Sequence, residues 1–285
     1  MKQFKIRCSA INRIASSPKE TTIYSVGGKE ITTAKYNKIV DSVLSSGDIS
    51  LIQHVEITKK LSDSGLSQGA ESYCKEWIKE NIYGRSSYVE TKYTNKGIDT
   101  EEEALNILVR ALKLGMVYKN TERRTDEFKT GEIDFLHDDV IHDNKSCFSF
   151  QTFPMFEKKL DRVYEDQQKG YLDLWNKKLA KVCYTLVDTP IDILRNEIKW
   201  LSDDDAKQTK ALNHLFTKQA FIEAKETLFP MAKKVDFIEL KDEQRVKVFE
   251  VHRDDNFING IHITVKQCNE YIKRVLDGDG NQQNI

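Results

Sequence analysis

Long apolar runs are absent from this 285-residue chain, and none approaches the roughly 20 residues of a membrane span. Proline is scarce, with four in all, which suits regular helices and strands better than a disordered polymer. The five cysteines, Cys8, Cys74, Cys147, Cys183 and Cys268, are far apart and never form a CxxC pair. That spacing suggests neither a zinc site nor a disulfide framework, and it reads as reduced, buried thiols. A basic excess is lacking too: 44 Lys and Arg stand against 45 Asp and Glu, for a net charge of −1. Any nucleic-acid contact must therefore use a local patch. The pairs Arg123-Arg124, Lys158-Lys159 and Lys233-Lys234, and the group Lys177, Lys178 and Lys181, read first as solvated faces. The opening MKQFKIRCSAINRIA carries basic residues with no apolar stretch behind them, so it does not read as a secretory signal, and a cytoplasmic location is expected.

What is present is the composition of a globular α/β protein, 39% hydrophobic and 31% charged, long enough for one elaborated domain or two small ones. No internal repeat occurs. Residues 1–96 read as a helical front, with an amphipathic helix in ESYCKEWIKENIYG that stops at Gly84, a natural C-cap. Residues 97–190 alternate helix, strand, strand, helix and strand. Residues 191–276 form a mainly helical extension: DTPIDILRNEIKWL, then AKQTKALNHLFTKQAFIEAKETLF, a strand in RVKVFEV and a closing helix in ITVKQCNEYIKRVL. The tail, residues 277–285, is expected to be disordered.

The chemistry concentrates in the centre. In KGIDTEEEALNILVRALKLG, Thr100 and Glu103 have the spacing of a capping box at a helix start. Glu101 differs from its neighbours, because Ala104, Leu105 and Leu108 follow it at helical spacing and place its carboxylate on the apolar face. A carboxylate so placed needs a partner or a metal. Next, GEIDFL and DVIHDNK read as two strands joined by a turn at HDD, with Asp138 and Asp139 as turn residues. Alternation puts Asp143 and Lys145 on one face of the second strand and Asn144 on the other, with Asp134 projecting from the first. Three carboxylates and a lysine can then converge, and hard oxygen ligands of this kind suit Mg²⁺. The helix YEDQQKGYLDLWNKKL offers Gln167 and Tyr171 at i and i+4 before the strand AKVCYTLVD. Those two residues also read as a hydrogen-bonded packing pair, Tyr164 and Trp175 as core, and His142 as structural.

At these residues the chain resembles the PD-(D/E)xK nuclease superfamily, and within it the phage-type, lambda exonuclease-like recombination exonucleases. KGIDTEEEAL is similar to that family's glycine, acid and alanine signature at Gly97, Glu101 and Ala104. GEID is similar to its aspartate strand at Asp134, with Ile133 where many relatives have proline. HDNKS matches the acid-x-lysine strand at Asp143 and Lys145. YEDQQKGYLDL resembles the Q-x-x-x-Y helix at Gln167 and Tyr171, with Lys169 where a second glutamine often sits. SFQTFPMFEKKL and VCYTLVDTP also have the look of phage members. The likeness is good over residues 97–190, looser over the front, and hardly informative over the last hundred.

The resemblance implies a restriction-endonuclease-like core, a central mixed sheet flanked by helices, with helical N-terminal and C-terminal elaborations. It implies a metal-dependent DNA exonuclease that resects duplex ends from the 5′ side for annealing-driven recombination. Glu101, Asp134, Asp143 and the backbone carbonyl of Asn144 would hold one or two Mg²⁺ ions, with Mn²⁺ as a substitute, and paired ions lie ~4 Å apart. Lys145 would orient the attacking water, Gln167 would touch that water or a phosphate, and Tyr171 would support it by packing. Ser146 is a candidate phosphate contact. IRCSAI resembles the opening that relatives use near a DNA end, which makes Arg7 and Ser9 candidates for a terminal 5′ phosphate. The implied partners are double-stranded DNA ends and a single-strand annealing protein, and a homo-oligomer, a trimer, is expected from the resemblance alone.

Two other classes stay open: a restriction-like or structure-specific endonuclease on the same core, and a catalytically silent protein that binds DNA ends. The related iron–sulfur nucleases need four ligating cysteines, three of them clustered after the core. Only Cys268 follows Cys183, so no iron–sulfur cluster is expected.

Overall fold

A computed structural model describes residues 2–60, 62–86 and 91–279. The chain divides into two compact units, one of residues 1–4, 13–85 and 261–285 and one of residues 5–12 and 86–260. In chain order the elements are β1 (Ile6–Arg7), β2 (Thr21–Val26), β3 (Lys29–Ile31), α1 (Thr33–Ser46), β4 (Val55–Lys60), α2 (Gln68–Tyr83), α3 (Lys92–Asp99) and α4 (Glu101–Leu112). There follow β5 (Arg123–Thr125), β6 (Lys129–Glu132), β7 (Phe135–His137), β8 (Val140–Cys147), α5 (Arg162–Leu174) and β9 (Leu179–Leu186). The chain closes with α6 (Ile191–Ile198), α7 (Asp204–Ala211), α8 (Lys218–Leu228), β10 (Val246–His252) and α9 (Asp255–Asp279). No described helix is long and apolar enough to cross a membrane.

In the front unit, α2 starts where the Ser67 hydroxyl accepts from the Ala70 N–H at 3.2 Å. It ends at Gly84, which takes the left-handed conformation that glycine adopts without penalty. Its buried side chains include Tyr73, Cys74 and Ile78, and Phe4 lies edge-on to Tyr73 and Trp77. The unit also holds an antiparallel sheet in the order β3-β2-β4, where the sequence reading had only helices. The sheet begins with a Gly27-Gly28 hairpin turn in which both φ angles are positive, a conformation that two adjacent glycines allow.

The larger unit carries the mixed sheet, ordered β10-β9-β8-β7. β7 and β8 form an antiparallel hairpin, β8 and β9 run parallel, and β9 and β10 are antiparallel again. A parallel step needs a long crossover, and the segment containing α5 supplies it. α4 covers the sheet: Ala104 and Ile107 pack with Val187, and Leu108 packs with Phe135 and Cys183. A second sheet has the order β1-β6-β5. The α/β class and the mixed sheet flanked by helices are thus as expected from the sequence.

Three local expectations are corrected. The stretch read as one helix over AKQTKALNHLFTKQAFIEAKETLF is broken into α7 and α8. At the break, Asp188 accepts hydrogen bonds from the Phe216 and Thr217 N–H groups and from the Thr217 hydroxyl, so a tertiary carboxylate takes donors that a continuous helix would use. GEIDFL is not one strand but two, β6 and β7, in different sheets. The disorder expected over residues 277–285 falls partly on α9, which continues to Asp279, while residues 280–285 lie outside the described residues. All five cysteines are free and buried.

Candidate active site

The hairpin that opens the site turns in two residues. Asp138 and Asp139 have φ of 48° and 67°, a type I′ arrangement that short acidic side chains tolerate, and Phe135 pairs with His142 across it. Before the hairpin, the chain leaves β6, crosses between sheets at Ile133-Asp134 and enters β7. The Asn120 N–H donates to the Asp134 carbonyl at 2.7 Å and its side-chain amide donates to the Ile133 carbonyl at 3.0 Å, which pins the crossing. The crossing turns the Asp134 carboxylate onto β8, where its Oδ2 accepts from the Asn144 N–H at 2.6 Å.

On β8, Asp143 is only 3% exposed, and Lys145 Nζ lies 2.5 Å from its Oδ2. No donor is aligned on that buried oxygen, so the lysine meets it as an ion contact rather than as a satisfied hydrogen bond. Asn144 faces the other way, its Oδ1 accepting from the Thr185 hydroxyl at 2.7 Å. Burial first, and the Asp143 charge second, push the Asp134 carboxyl up to about 7, while Lys145 and the Asn144 N–H pull it back. Burial works against the Lys145 charge, but Asp143 and Asp134 outweigh it and raise that ammonium. The result is a partly dehydrated acid pair with one cation, short of positive charge.

Glu101 opens α4 and lines the same cleft, of about 640 Å³, as Asp134, Asn144, Lys145 and Ser146. Its carboxylate is half-exposed and paired with Lys119 Nζ at 2.7 Å. The expected capping box at this helix start is absent: Thr100 makes no side-chain cap to α4, because its hydroxyl donates back to the Lys96 carbonyl at 2.7 Å as α3 ends. Glu103 instead meets Arg110 at 3.4 Å.

Gln167 and Tyr171 are buried on α5, with the Gln167 amide donating to the Tyr171 hydroxyl at 3.1 Å. Burial and then the Asp143 charge raise the tyrosine pKa, so this pair feels the acid site, although neither residue lines the cleft. β6 and α5 approach closely through Gly131, where an added Cβ would fall 2.6 Å from the Tyr171 ring. Ser146 lines the cleft beside Thr100, 3.4 Å from its hydroxyl. Arg7, on β1 beside Thr130, and Ser9 are exposed and do not line the cleft. His142 stacks on Phe135 at 4.7 Å, and burial lowers its pKa to about 4, which fits a neutral structural ring. Trp175 is buried as expected, whereas half-buried Tyr164 faces the cleft with its ring 5.2 Å from Lys145 Nζ.

Two lysines important to this region carried no sequence signal. Lys119 is one, because its pairing with Glu101 depends on the path of a loop. Lys96 is the other. It is fully buried on α3 and donates to the Cys147 and Phe148 carbonyls at 2.9 and 3.0 Å, fastening the helix to the end of β8. Burial lowers its pKa to about 7, with Asp188 and Cys147 acting in its favour and Arg245 against it. A neutral amine still has two N–H donors for the two carbonyls. Because the folded value lies below the unfolded 10.5, the penalty on charging Lys96 is fully present below pH 7 and fades as the pH rises toward 10.5. Lys96→Met should therefore gain stability on the parent at pH 6 relative to pH 10, by on the order of a few kcal/mol. Urea unfolding at the two pH values checks this, and a gap independent of pH would refute it.

The donor set fits a hard divalent cation in one respect and strains it in another. Asp143 Oδ2 is a buried oxygen without an aligned donor, and Asp134 lies beside it with its ionisation suppressed. Among the described residues, however, no three His, Cys, Asp or Glu side chains are gathered as a metal-holding group. Glu101, held by Lys119, is the carboxylate that would have to join.

No protein-family model matches the chain, and no curated protein matches it in sequence. Among solved structures, a phage-related exonuclease from Haemophilus somnus 129PT is similar with a TM-score of 0.64 at 21% identity, over 97% of both chains. An alkaline exonuclease from Laribacter hongkongensis follows at 0.49 and 11%, over 76% of this chain and 86% of that one. The same enzyme in complex with dAMP gives 0.48 and 10%, over 76% and 88%.

Proposed function

We propose that this chain, which has the fold of a phage-related exonuclease, is a divalent-metal-dependent deoxyribonuclease that hydrolyses phosphodiester bonds from duplex ends. Fold alone does not assign an activity. The observation that carries the reading is the acid pair that shares one ammonium: Asp134 and Lys145 line an open cleft, and Asp143 is buried behind Lys145. A buried and a half-buried carboxylate that share one ammonium suit a charged ligand.

Asp134, Asp143 and the Asn144 carbonyl would hold the cation, Mg²⁺ with Mn²⁺ as a substitute, and Glu101 would join from the cleft wall. When bound, a divalent ion polarises the phosphoryl group and offsets its developing negative charge. Lys145 would orient the attacking water and offset the charge that grows on the phosphorus oxygens. Asp143 keeps that ammonium protonated and in position. Gln167, whose amide donates to the Tyr171 hydroxyl behind the cleft, enters as a candidate contact to the water or a phosphate through the resemblance alone. Arg7 and Ser9 enter as candidates for a terminal 5′ phosphate through the resemblance alone.

The test uses linear and closed-circular duplex DNA with Mg²⁺ and with chelator. Digestion of the linear form only, abolished by chelator and releasing label from the 5′ end first, is the expected result. Nicking of the circle would move the assignment to the endonuclease. No cleavage of either form, with binding to ends retained, would leave an end-binding protein.

A further inference from the structure

The same cleft runs past Asp134 and Lys145 to a wall whose side chains the proposed chemistry does not use. Tyr93 and Ile98 on α3 line it and are 56% and 65% exposed, so together they present apolar surface beside the charged site. Tyr93 lies edge-on to Phe148, with ring centroids 4.8 Å apart, and Lys92 Nζ stands 5.4 Å over the Tyr93 ring on one face, while the exposure of the side chain leaves ring surface free for a further partner. Phe148 is itself held in place. Lys96 donates to the Phe148 carbonyl, the His214 ring nitrogen sits 3.0 Å from that same oxygen, and the His214 ring packs edge-on to Phe148 at 5.1 Å.

One helical turn beyond Tyr93 stands Gly97, where an added Cβ would meet nothing within 4 Å. A glycine inside a helix is disfavoured relative to alanine, and here no packing among the described residues requires it. It leaves an open slot one helical turn from the Tyr93 ring, on the cleft that Ile98, Asp134 and Lys145 also line.

We propose that Tyr93, Gly97 and Ile98 form a nucleobase subsite, in which a base of the strand being cut stacks on the open face of Tyr93. The proposal rests on the nuclease reading and adds to it the part of the substrate that the cleft grips apart from its phosphates. Stacking of this kind tolerates any base, because every base has a π face, so the subsite holds unpaired nucleotides without reading sequence. It also gives the cleft a preference for a base that has left its duplex partner, since a paired and stacked base offers no free face.

The test compares duplexes that carry a single abasic residue at each position near the cut. The parent should slow by about tenfold or more at one position, and Tyr93→Ala should cut intact DNA more slowly by a similar factor while losing that sensitivity. Tyr93→Phe should retain both. Gly97→Leu fills the slot with a better helix former, so it should keep or raise the melting temperature while weakening binding. A second arm reads binding without cleavage: a short single strand bearing 2-aminopurine at that position should be quenched by the parent and not by Tyr93→Ala or Gly97→Leu. If the parent does not cut DNA, the nuclease reading fails and the binding arm alone decides the subsite. Unchanged quenching in both variants, or full abasic sensitivity retained by Tyr93→Ala, would overturn the proposal.

Discussion

Asp134→Asn is expected to remove cleavage almost completely, by a factor of about a thousand or more, and at the same time to raise the melting temperature of the metal-free protein at pH 8. The first effect follows if the carboxylate is a ligand, since a thousandfold corresponds to ~4 kcal/mol of transition-state stabilisation. The second follows from its ionisation. The folded value of about 7 lies above the ordinary 3.8, so the folded state takes up a proton between those values and loses stability as the pH rises through them. An amide removes that loss, on the order of a few kcal/mol, and its oxygen can still accept from the Asn144 N–H. Melting curves without metal should thus diverge at pH 8 and converge near pH 4. Mg²⁺ should raise the melting temperature of the parent but not of the variant. Activity within tenfold of the parent, or a melting difference that ignores pH, would remove Asp134 from the site.

Lys145→Met is expected to lower cleavage by about a hundredfold or more and, in contrast to Asp134→Asn, to destabilise the metal-free protein. Removing one partner of a buried ion pair leaves the other uncompensated, typically by about 3 kcal/mol or more, and Asp143 is nearly fully buried. The pH dependence distinguishes this from a packing defect. At pH 5 Asp134 is protonated and the remaining charge is smaller, so the variant should be hurt less there than at pH 8. A divalent cation should restore part of the lost stability at pH 8, because it supplies the positive charge the lysine gave. A loss equal at both pH values, with no response to Mg²⁺, would mean that Lys145 acts by packing alone.

How much of this was legible in the sequence varies with the range of the interactions involved. Asp143, Asn144 and Lys145 were placed on their strand faces correctly because strand alternation and a two-residue turn are local and need no knowledge of the rest of the chain. The split of GEIDFL into β6 and β7 was not legible, because a change of sheet leaves no mark on strand propensity. Thr100 and Glu103 have capping-box spacing, yet Thr100 is also the end of α3, and its hydroxyl went to the helix behind it rather than the one ahead. The break between α7 and α8 depends on Asp188, far away in the chain, and Lys96 owes its importance to the end of β8. The front sheet is different: TTIYSVGGKEI carries β-branched residues around a Gly-Gly turn, a signal that was present in the sequence.

The buried cysteines give the molecule a set of internal clocks. Burial pushes the Cys8 and Cys147 thiols up to about 12, and those of Cys183 and Cys268 are raised as well, Cys268 first by its hydrogen bond to Cys74. A thiol reagent attacks the thiolate, which none of these four presents while the structure is closed. The speed of labelling at each position therefore measures how often the surrounding structure opens. Cys74 and Cys268 time the front unit, and Cys8, Cys147 and Cys183 time the unit that holds the cleft. Cys147 stands two residues beyond Lys145, so it times the strand that carries Asp143 and Lys145, with no engineered probe.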